Sequence, residues 1–386
     1  MPLRYNMRSL LVRKTTTGAS AAGLALVVFV LMSVLMFSNG LRGALGKSAR
    51  RDAVIVLRKG ASTEIRSGID AGRVGAIVSS PDVARSADGT SRAVAELVAG
   101  VRLTKTGSDG TSNVQVRGVP EGSVGFRGVT IVAGRAARAG TDEAIVGAAI
   151  RGRFADMDLD HTVELPNQHR ITIVGFFEDG GSAFESEIWA DLDRTRSAFG
   201  LQGVVSSVRV ELGSAQAFQH FKVSVEAQGQ GTLDVIRETD YYDRQARGMN
   251  LLVQALALLI ASLTCIGAMI GATITMHTSV SQRRREIATL RALGFTRTSI
   301  LGAFLFESAL LAMVGGAAGA LASLALANVR LSMDNYDSGA QIVFAFESTP
   351  TIVLGSLAAA ALMGVAGGLA PAIRAARMNP VEAMRE

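Results

Sequence analysis

Four stretches of this 386-residue chain run nearly free of charge over lengths that a water-soluble core has no use for. The first lies between Lys14 and Arg42, 27 uncharged residues with an apolar centre from Ala21 to Phe37. The second lies between Arg247 and Arg283, 35 uncharged residues centred on Leu251 to Met276. A third follows Arg297 and reaches Val329, interrupted by the single carboxylate of Glu307, and a fourth runs from Ser348 to Ile373, closed by Pro371 just before Arg374. About 20 apolar residues rising 1.5 Å each cross a hydrocarbon core of roughly 30 Å, so each run reads as a membrane-spanning helix. The first run reads as a retained anchor, since its apolar part exceeds the roughly 7–15 residues of a cleaved signal and no clean small-x-small site follows Phe37.

Charge then has to be read segment by segment. With 48% apolar and 19% charged residues, the chain holds more apolar surface than a soluble shell hides, and its net charge of +6 is not one patch. Residues 1–14 carry Arg4, Arg8, Arg13 and Lys14 without an acid, whereas residues 42–247 balance 26 bases against 26 acids. The short loop 278–298 sets Arg283, Arg284, Arg285, Arg291 and Arg297 against Glu286, and the loop 330–348 sets Arg330 against Asp334, Asp337 and Glu347. Short loops rich in Lys and Arg stay cytoplasmic, while long domains cross largely regardless of charge. The pattern therefore predicts both termini and loop 278–298 inside, with 42–247 and 330–348 outside; the cluster Arg42, Lys47, Arg50, Arg51 opposes this but lies on a long domain. The basic excess is an orientation signal, and nucleic acid is not an expected partner.

The resulting organisation is a cytoplasmic tail 1–14, helix 15–41, outer domain 42–247, helix 248–277, inner loop 278–298, helix 299–329, short outer loop 330–348, helix 349–373 and tail 374–386. The outer segment reads as α+β. Val54–Leu57, Val114–Val119, Val129–Ala133, Ile171–Phe177 and Val204–Leu212 are β-branched runs between turn residues. Ser62–Ala76, Asp142–Ala155, Asp191–Phe199 and Ser214–Glu226 have helical character. One cysteine in the chain excludes an internal disulfide framework and a thiolate-rich zinc site.

Few motifs carry soluble-enzyme chemistry. Gly46-Lys47-Ser48 resembles the end of a phosphate-binding loop, but Leu41 stands where the motif needs its first glycine and no strand precedes it. Gly180-Gly181-Ser182 lacks nucleophile-elbow spacing, with Phe184 in the last glycine's place, and reads as a flexible loop. His161 and His169 with Asp156, Asp158 and Asp160 have the ligand types for a cation, yet a solvated turn is the favoured reading. No catalytic, metal or cofactor-binding residue is assigned.

The membrane segments say more. Gly267 with Gly271, Gly315 with Gly319 and Gly364 with Gly368 each place two glycines on one helix face, where backbones approach closely. Glu307 is costly in lipid unless it faces protein or water, and structural pairing and function are equal readings for it. Arg283 to Phe295 reads as a short amphipathic helix with Ile287, Leu290 and Leu293 near one face, stopped by Gly294. It is either a helix lying among anionic headgroups or a docking element for a cytoplasmic partner.

Taken together, Arg284-Arg285-Glu286-Ile287-Ala288-Thr289-Leu290-Arg291-Ala292-Leu293-Gly294-Phe295, then Phe306-Glu307-Ser308 with Gly315-Gly316 and Gly319, then the closing stretch Pro371 to Arg385, resemble the FtsX-like permease family. These are the membrane subunits of MacB/FtsX/LolC-type ABC transporters. Thr111 to Gly200 is similar to the outer domain of MacB-type permeases through Val132-Ala133-Gly134-Arg135, Glu143-Ala144-Ile145-Val146-Gly147 and Ile173-Val174-Gly175. The resemblance implies a membrane α-helical fold with four transmembrane helices and a large extracytoplasmic, MacB-like α+β domain between helices 1 and 2. It implies a non-catalytic subunit in a bacterial cytoplasmic (inner) membrane, a second permease copy as homodimer or heterodimer, and two copies of a separate ABC ATPase that binds ATP and Mg2+. It leaves room for a periplasmic adaptor, and membrane lipid surrounds the helices. No Walker sequence occurs in the chain. The docking helix of such permeases matches Arg284, Arg285, Glu286, Ile287, Leu290, Arg291, Leu293 and Gly294. ATP hydrolysis is expected to be relayed mechanically to the outer domain, driving export or extraction of a hydrophobic or amphipathic substrate. A LolC-like lipoprotein-releasing permease is the nearest alternative; an FtsX-like scaffold activating cell-wall hydrolases has a much smaller outer domain than 42–247.

Overall fold

A computed structural model describes residues 14–335 and 338–378. Arg4, Arg8, Arg13, Asp337 and the last part of the closing stretch, residues 379–386, lie outside the described residues. After α1 (Lys14–Lys47) come β1 (Ala53–Arg58), β2 (Ile69–Asp70), α2 (Ala71–Val78), β3 (Ala93–Thr104), β4 (Thr111–Val119), α3 (Ser123–Arg127), β5 (Thr130–Gly134) and β6 (Glu143–Gly147). The chain continues through β7 (Thr162–Glu164), β8 (Arg170–Glu178), β9 (Glu187–Asp191), α4 (Leu192–Phe199), β10 (Val204–Val205), β11 (Ser207–Glu211), α5 (Ala217–Gln228) and β12 (Leu233–Arg237). It closes with α6 (Glu238–Gln282), α7 (Arg284–Ala292), α8 (Arg297–Leu324), β13 (Arg330–Asp334), β14 (Gln341–Ala345) and α9 (Pro350–Arg377). Two compact units result: one holds the described residues up to Gly40, Leu251–Val329 and those from Phe346 onward; the other holds Leu41–Asn250 and Arg330–Ala345.

The first unit is helical. Ala21–Lys47, Leu258–Gln282, Arg297–Asn328 and Pro350–Arg377 are each long and apolar enough to cross a membrane. Their ends are set by local chemistry. Thr296 accepts from the Ser299 amide at the start of α8, and Thr349 accepts from the Ile352 amide at the start of α9, with Pro350 in the first turn where no donor is lost. Pro371 does not stop α9, which continues to Arg377. Proline has no N–H to give the carbonyl four residues back, and that carbonyl, Gly367 O, instead accepts the Thr273 hydroxyl of α6 at 2.8 Å. Lipid offers no such replacement, so a neighbouring helix has to supply it.

The second unit is built on one ten-stranded sheet with the order β12-β1-β11-β3-β4-β9-β6-β8-β5, β7 pairing with β8. It buries two apolar clusters. Val54, Val56, Val208, Val210 and Val235 of its first strands pack with Phe221 and Val225 of α5 and Ile77 of α2. Val114, Val116, Val146, Ile173, Phe176 and Ile188 form the second cluster with Ala198 of α4. Asp191 caps α4 by accepting from the Asp193 and Arg194 amides, and Gly200 ends it in left-handed backbone at φ 66°.

Two helical expectations are corrected here. Asp142–Ala155 holds β6 and a short 3-10 turn, because Ala144-Ile145-Val146 is inserted between β8 and β9 and buried on both faces. Strand pairing overrides the helical tendency of its alanines. Ser62–Ala76 breaks into a 3-10 turn at Glu64–Arg66, β2 and the start of α2. Arg330–Asp334 and Gln341–Ala345 are not an open loop but pair as β13 and β14, part of the α+β unit: Val343 joins the second cluster and its amide donates to Ser186 Oγ at 2.9 Å.

Candidate functional site

The inner-loop helix α7 is shorter than the sequence pattern, covering Arg284–Ala292. Arg283 stands just before it, Leu293 just after it, and Gly294 ends the turn at φ 94°, a conformation costly for any side chain with a Cβ. Ile287 does not share an outward face with Leu293. It is buried among Met276, Val280, Ile300, Phe304, Ala372 and Ala375, so it fastens α7 to α6, α8 and α9. Leu290 and Arg291 are half-buried, whereas Arg284, Arg285, Glu286, Gly294 and Phe295 are exposed and Leu293 is 73% exposed. Leu293 is thus exposed beside the ionic side chains of Arg284, Arg285 and Glu286, on a helix whose other side is anchored.

Glu307 is buried and paired. Arg283 Nη1 donates to its Oε2 at 3.0 Å, Arg283 Nε donates to Glu286 Oε2 at 3.0 Å, and the guanidinium lies over the Phe304 ring. The structural reading of this carboxylate has a partner: it pairs with Arg283 at the start of α7. The glycine pairs divide. A Cβ at Gly315 or Gly319 would run into the backbone of α1 at Ala21 and Ala25, and one at Gly364 or Gly368 would run into α8 at Ala312 and Ser308. Ser308 Oγ also donates to Gly364 O at 2.5 Å. At Gly267 and Gly271, by contrast, nothing among the described residues lies within 4 Å of an added Cβ. Gly316, named in the sequence only within the family-like stretch, and Gly367, not singled out there, also make such close approaches, against Ala360 and Ala272.

The α+β unit contains a charged centre that the sequence did not announce. Arg117 of β4 donates from Nε and Nη2 to both oxygens of Glu187, each at 2.7 Å, and from Nη1 to Glu64 at 3.0 Å and Glu96 at 2.8 Å. Arg209 of β11 donates to Glu64 at 2.9 Å, to Glu96 at 3.2 Å, to the Tyr242 hydroxyl at 3.0 Å and to Glu238, the first residue of α6. Arg127 donates to Glu96 at 3.1 Å, and the guanidinium groups of Arg117, Arg127 and Arg209 all lie over the Phe184 ring. Glu96, Arg117 and Arg209 are at most 1% exposed. Burial pushes the Glu96 carboxyl up, but Arg127, Arg117 and Arg209 outweigh it and hold it at about 2. Glu64 is likewise pushed up by burial and drawn lower overall by Arg117 and Arg209, while burial raises both the Tyr241 and Tyr242 hydroxyls. These residues were legible only as the polar face of alternating strands, as in Val208-Arg209-Val210; such alternation normally means solvent, and here the second face is covered too.

The remaining sequence motifs resolve into local structure. Ser48 Oγ donates to Ala44 O and accepts from the Ala183 amide at 3.1 Å, so Gly46-Lys47-Ser48 ends α1. Gly180-Gly181-Ser182 is a tight turn in which Glu185 accepts from the Asp179 and Gly181 amides and Ser182 caps the next turn. Asp156, Asp158, Asp160 and His161 are exposed, with Asp156 and Asp160 at positive φ, and His169 is half-buried.

Comparison with known proteins bears on both units. Residues 17–228 match the MacB-like periplasmic core domain and residues 258–380 the FtsX-like permease C-terminal domain. A macrolide export ATP-binding/permease protein MacB 1/2 of Paracoccus denitrificans is 37% identical over 138 residues, covering 34% of this chain and 19% of that protein. An uncharacterized ABC transporter permease, YknZ of Bacillus subtilis, is 27% identical over 217 residues, covering 52% of this chain and 49% of that one. The chain thus spans about half or less of the length of these curated relatives. Among solved structures, the periplasmic region of MacB from Actinobacillus actinomycetemcomitans aligns with 48% of this chain and 89% of its own at 11% identity and a TM-score of 0.37.

Proposed function

The chain belongs to the FtsX-like, MacB-type ABC transporter permeases, and from that premise we propose that it relays ATP hydrolysis in a separate ATPase to its α+β domain. The observation that carries the reading is α7: it is anchored through Ile287 and the Arg283–Glu307 pair, and it exposes Arg284, Arg285, Glu286 and Leu293. A docking element has to be rigid on one side and accessible on the other, or movement of the partner is absorbed before it reaches the helices.

In this reading both termini and α7 face the cytoplasm, as the basic bias of loop 278–298 favours, and the α+β domain faces outward across the cytoplasmic membrane. ATP and Mg2+ act on two copies of the ATPase, and this chain holds no cofactor. A second permease copy completes the membrane part, and a periplasmic adaptor continues the path outside. The work is export or extraction of a hydrophobic or amphipathic substrate, in keeping with relatives named for macrolide export. Affinity purification in mild detergent tests this. Co-purification of an ABC ATPase that is lost when the outward residues of α7 are changed supports the docking role; recruitment indifferent to α7 overturns it.

A further inference from the structure

Within the α+β unit, a cavity of about 40 Å3 is lined by Leu45 at the end of α1, Tyr241 and Tyr242 at the start of α6, Gln341 of the β13–β14 hairpin, and Glu64 with Arg117 of the charged centre. Every segment by which the chain passes between the two units therefore contributes to one polar spot. The two segments bonded most directly to the charged centre are the helix ends. Glu238, which opens α6, pairs with Arg209 through Oε1, and its Oε2 accepts the Arg50 amide, three residues beyond α1, at 2.9 Å.

Seven buried ionic side chains are a poor way to gain stability, because the cost of stripping them of water offsets most of their attraction. What they gain is direction. An apolar contact lets a helix end slide or turn, whereas a guanidinium holding several carboxylates fixes both distance and angle. We infer that the Arg209–Glu238 pair, backed by Arg117, is the positioning contact through which displacement of α6 enters the outer domain; this rests on the mechanical relay proposed above. The route is a chain of bonds: Glu238 to Arg209 on β11, Arg209 to Glu96 on β3 and to Glu64, these to Arg117 on β4, and Arg117 to Glu187 on β9. It crosses from the strands of one apolar cluster to those of the other. At its far end α6 is one continuous helix to Gln282, next to Arg283 and α7.

The test is hydrogen–deuterium exchange on the full chain in complex with its ATPase, nucleotide-free against ATP-trapped. In the wild type, nucleotide should alter exchange in α7 and also in β4 and β9. In Glu238→Ala the α7 response should persist while the β4 and β9 response is lost, and Glu238→Asp should restore part of it. An outer domain that responds in Glu238→Ala as in the wild type overturns the inference. An outer domain already silent in the wild type, with the ATPase bound at α7, instead overturns the relay itself. Fluorescence of Trp189, whose Nε1 donates to Glu187, reports whether the centre is intact. If Glu238→Ala has lost it, Glu238→Gln, which keeps the side chain's size and removes its charge, takes its place under the same two outcomes.

Discussion

Arg283 and Glu307 form a buried ion pair at 3.0 Å that joins the residue preceding α7 to the first half of α8. Breaking such a pair from one side strands a charge where water does not reach, a loss of about 3–5 kcal/mol. Glu307→Ala should therefore lower thermal stability in detergent and impair transport more than Glu307→Gln, which keeps a hydrogen-bond acceptor for Arg283. Equal loss of transport in both variants, with stability retained in Glu307→Gln, would show that the charge itself is required. Replacing both partners by apolar residues, Arg283→Met with Glu307→Leu, should recover stability relative to Glu307→Ala.

Changing Glu286 and Leu290 together should weaken ATPase docking and uncouple hydrolysis from transport while membrane insertion remains. Glu286 is exposed yet bonded to Arg283, so the double variant alters both the outward surface and the frame behind it. Exposed charges alone contribute little binding energy; Leu293, exposed and apolar, should matter at least as much. A pull-down comparing Glu286→Ala/Leu290→Ala with Leu293→Ala checks this, and unchanged recruitment in both would remove α7 as the docking element.

The glycines give a paired prediction. In Gly319→Ala the new methyl meets the carbonyl of Ala25 and the amide of Phe29, both backbone, which cannot rotate away. Overpacking of this kind costs about 1–3 kcal/mol, so thermal unfolding in detergent should shift down. Gly267→Ala meets nothing among the described residues and should leave monomer stability unchanged or slightly raised, since alanine favours helix. A matching loss in both variants would mean that the close approach of α8 to α1 is not what sets the cost at Gly319.

What the sequence disclosed follows from how local each signal is. Membrane spans depend on length and charge alone, and four helices with an α+β segment between the first and second in sequence are readable from them. Gly294 and the periodic apolar residues gave α7 its place, but not the burial of Ile287, which depends on residues as distant as Ala372 and Ala375. Glu64, Glu96, Arg117, Glu187, Arg209 and Glu238 are scattered over 175 positions on different strands and a helix end, each locally ordinary for a solvent face. Only the fold brings them together. The hairpin β13–β14 was hidden for a related reason: its partners, such as Ser186 and Asn113, lie more than 150 residues away.

The charged centre also fixes how the domain should respond to acid. Glu96, held at about 2 against an ordinary 4.5, and Glu64, lowered in the same way, bind protons less readily in the folded chain than in the unfolded one. Their contribution to stability is therefore complete above about pH 4.5 and is lost as pH falls from there toward 2. Asp179 runs the other way: burial raises its pKa, so protonation favours its folded state, but it stands against Glu64, Glu96 and also Glu143 and Asp88, whose pKa values are lowered by their hydrogen bonds. The net expectation is a domain whose unfolding temperature is steady from neutral pH down to about 5 and drops below 4.5. Trp189 is the only tryptophan in the chain and sits against Glu187 inside the centre, so its emission reports this transition directly. In Glu96→Gln, the acid-dependent part of the drop should shrink while the stability at neutral pH falls, because Arg117, Arg127 and Arg209 each lose an ionic partner. An acid profile unchanged by Glu96→Gln would place the acid sensitivity elsewhere in the domain.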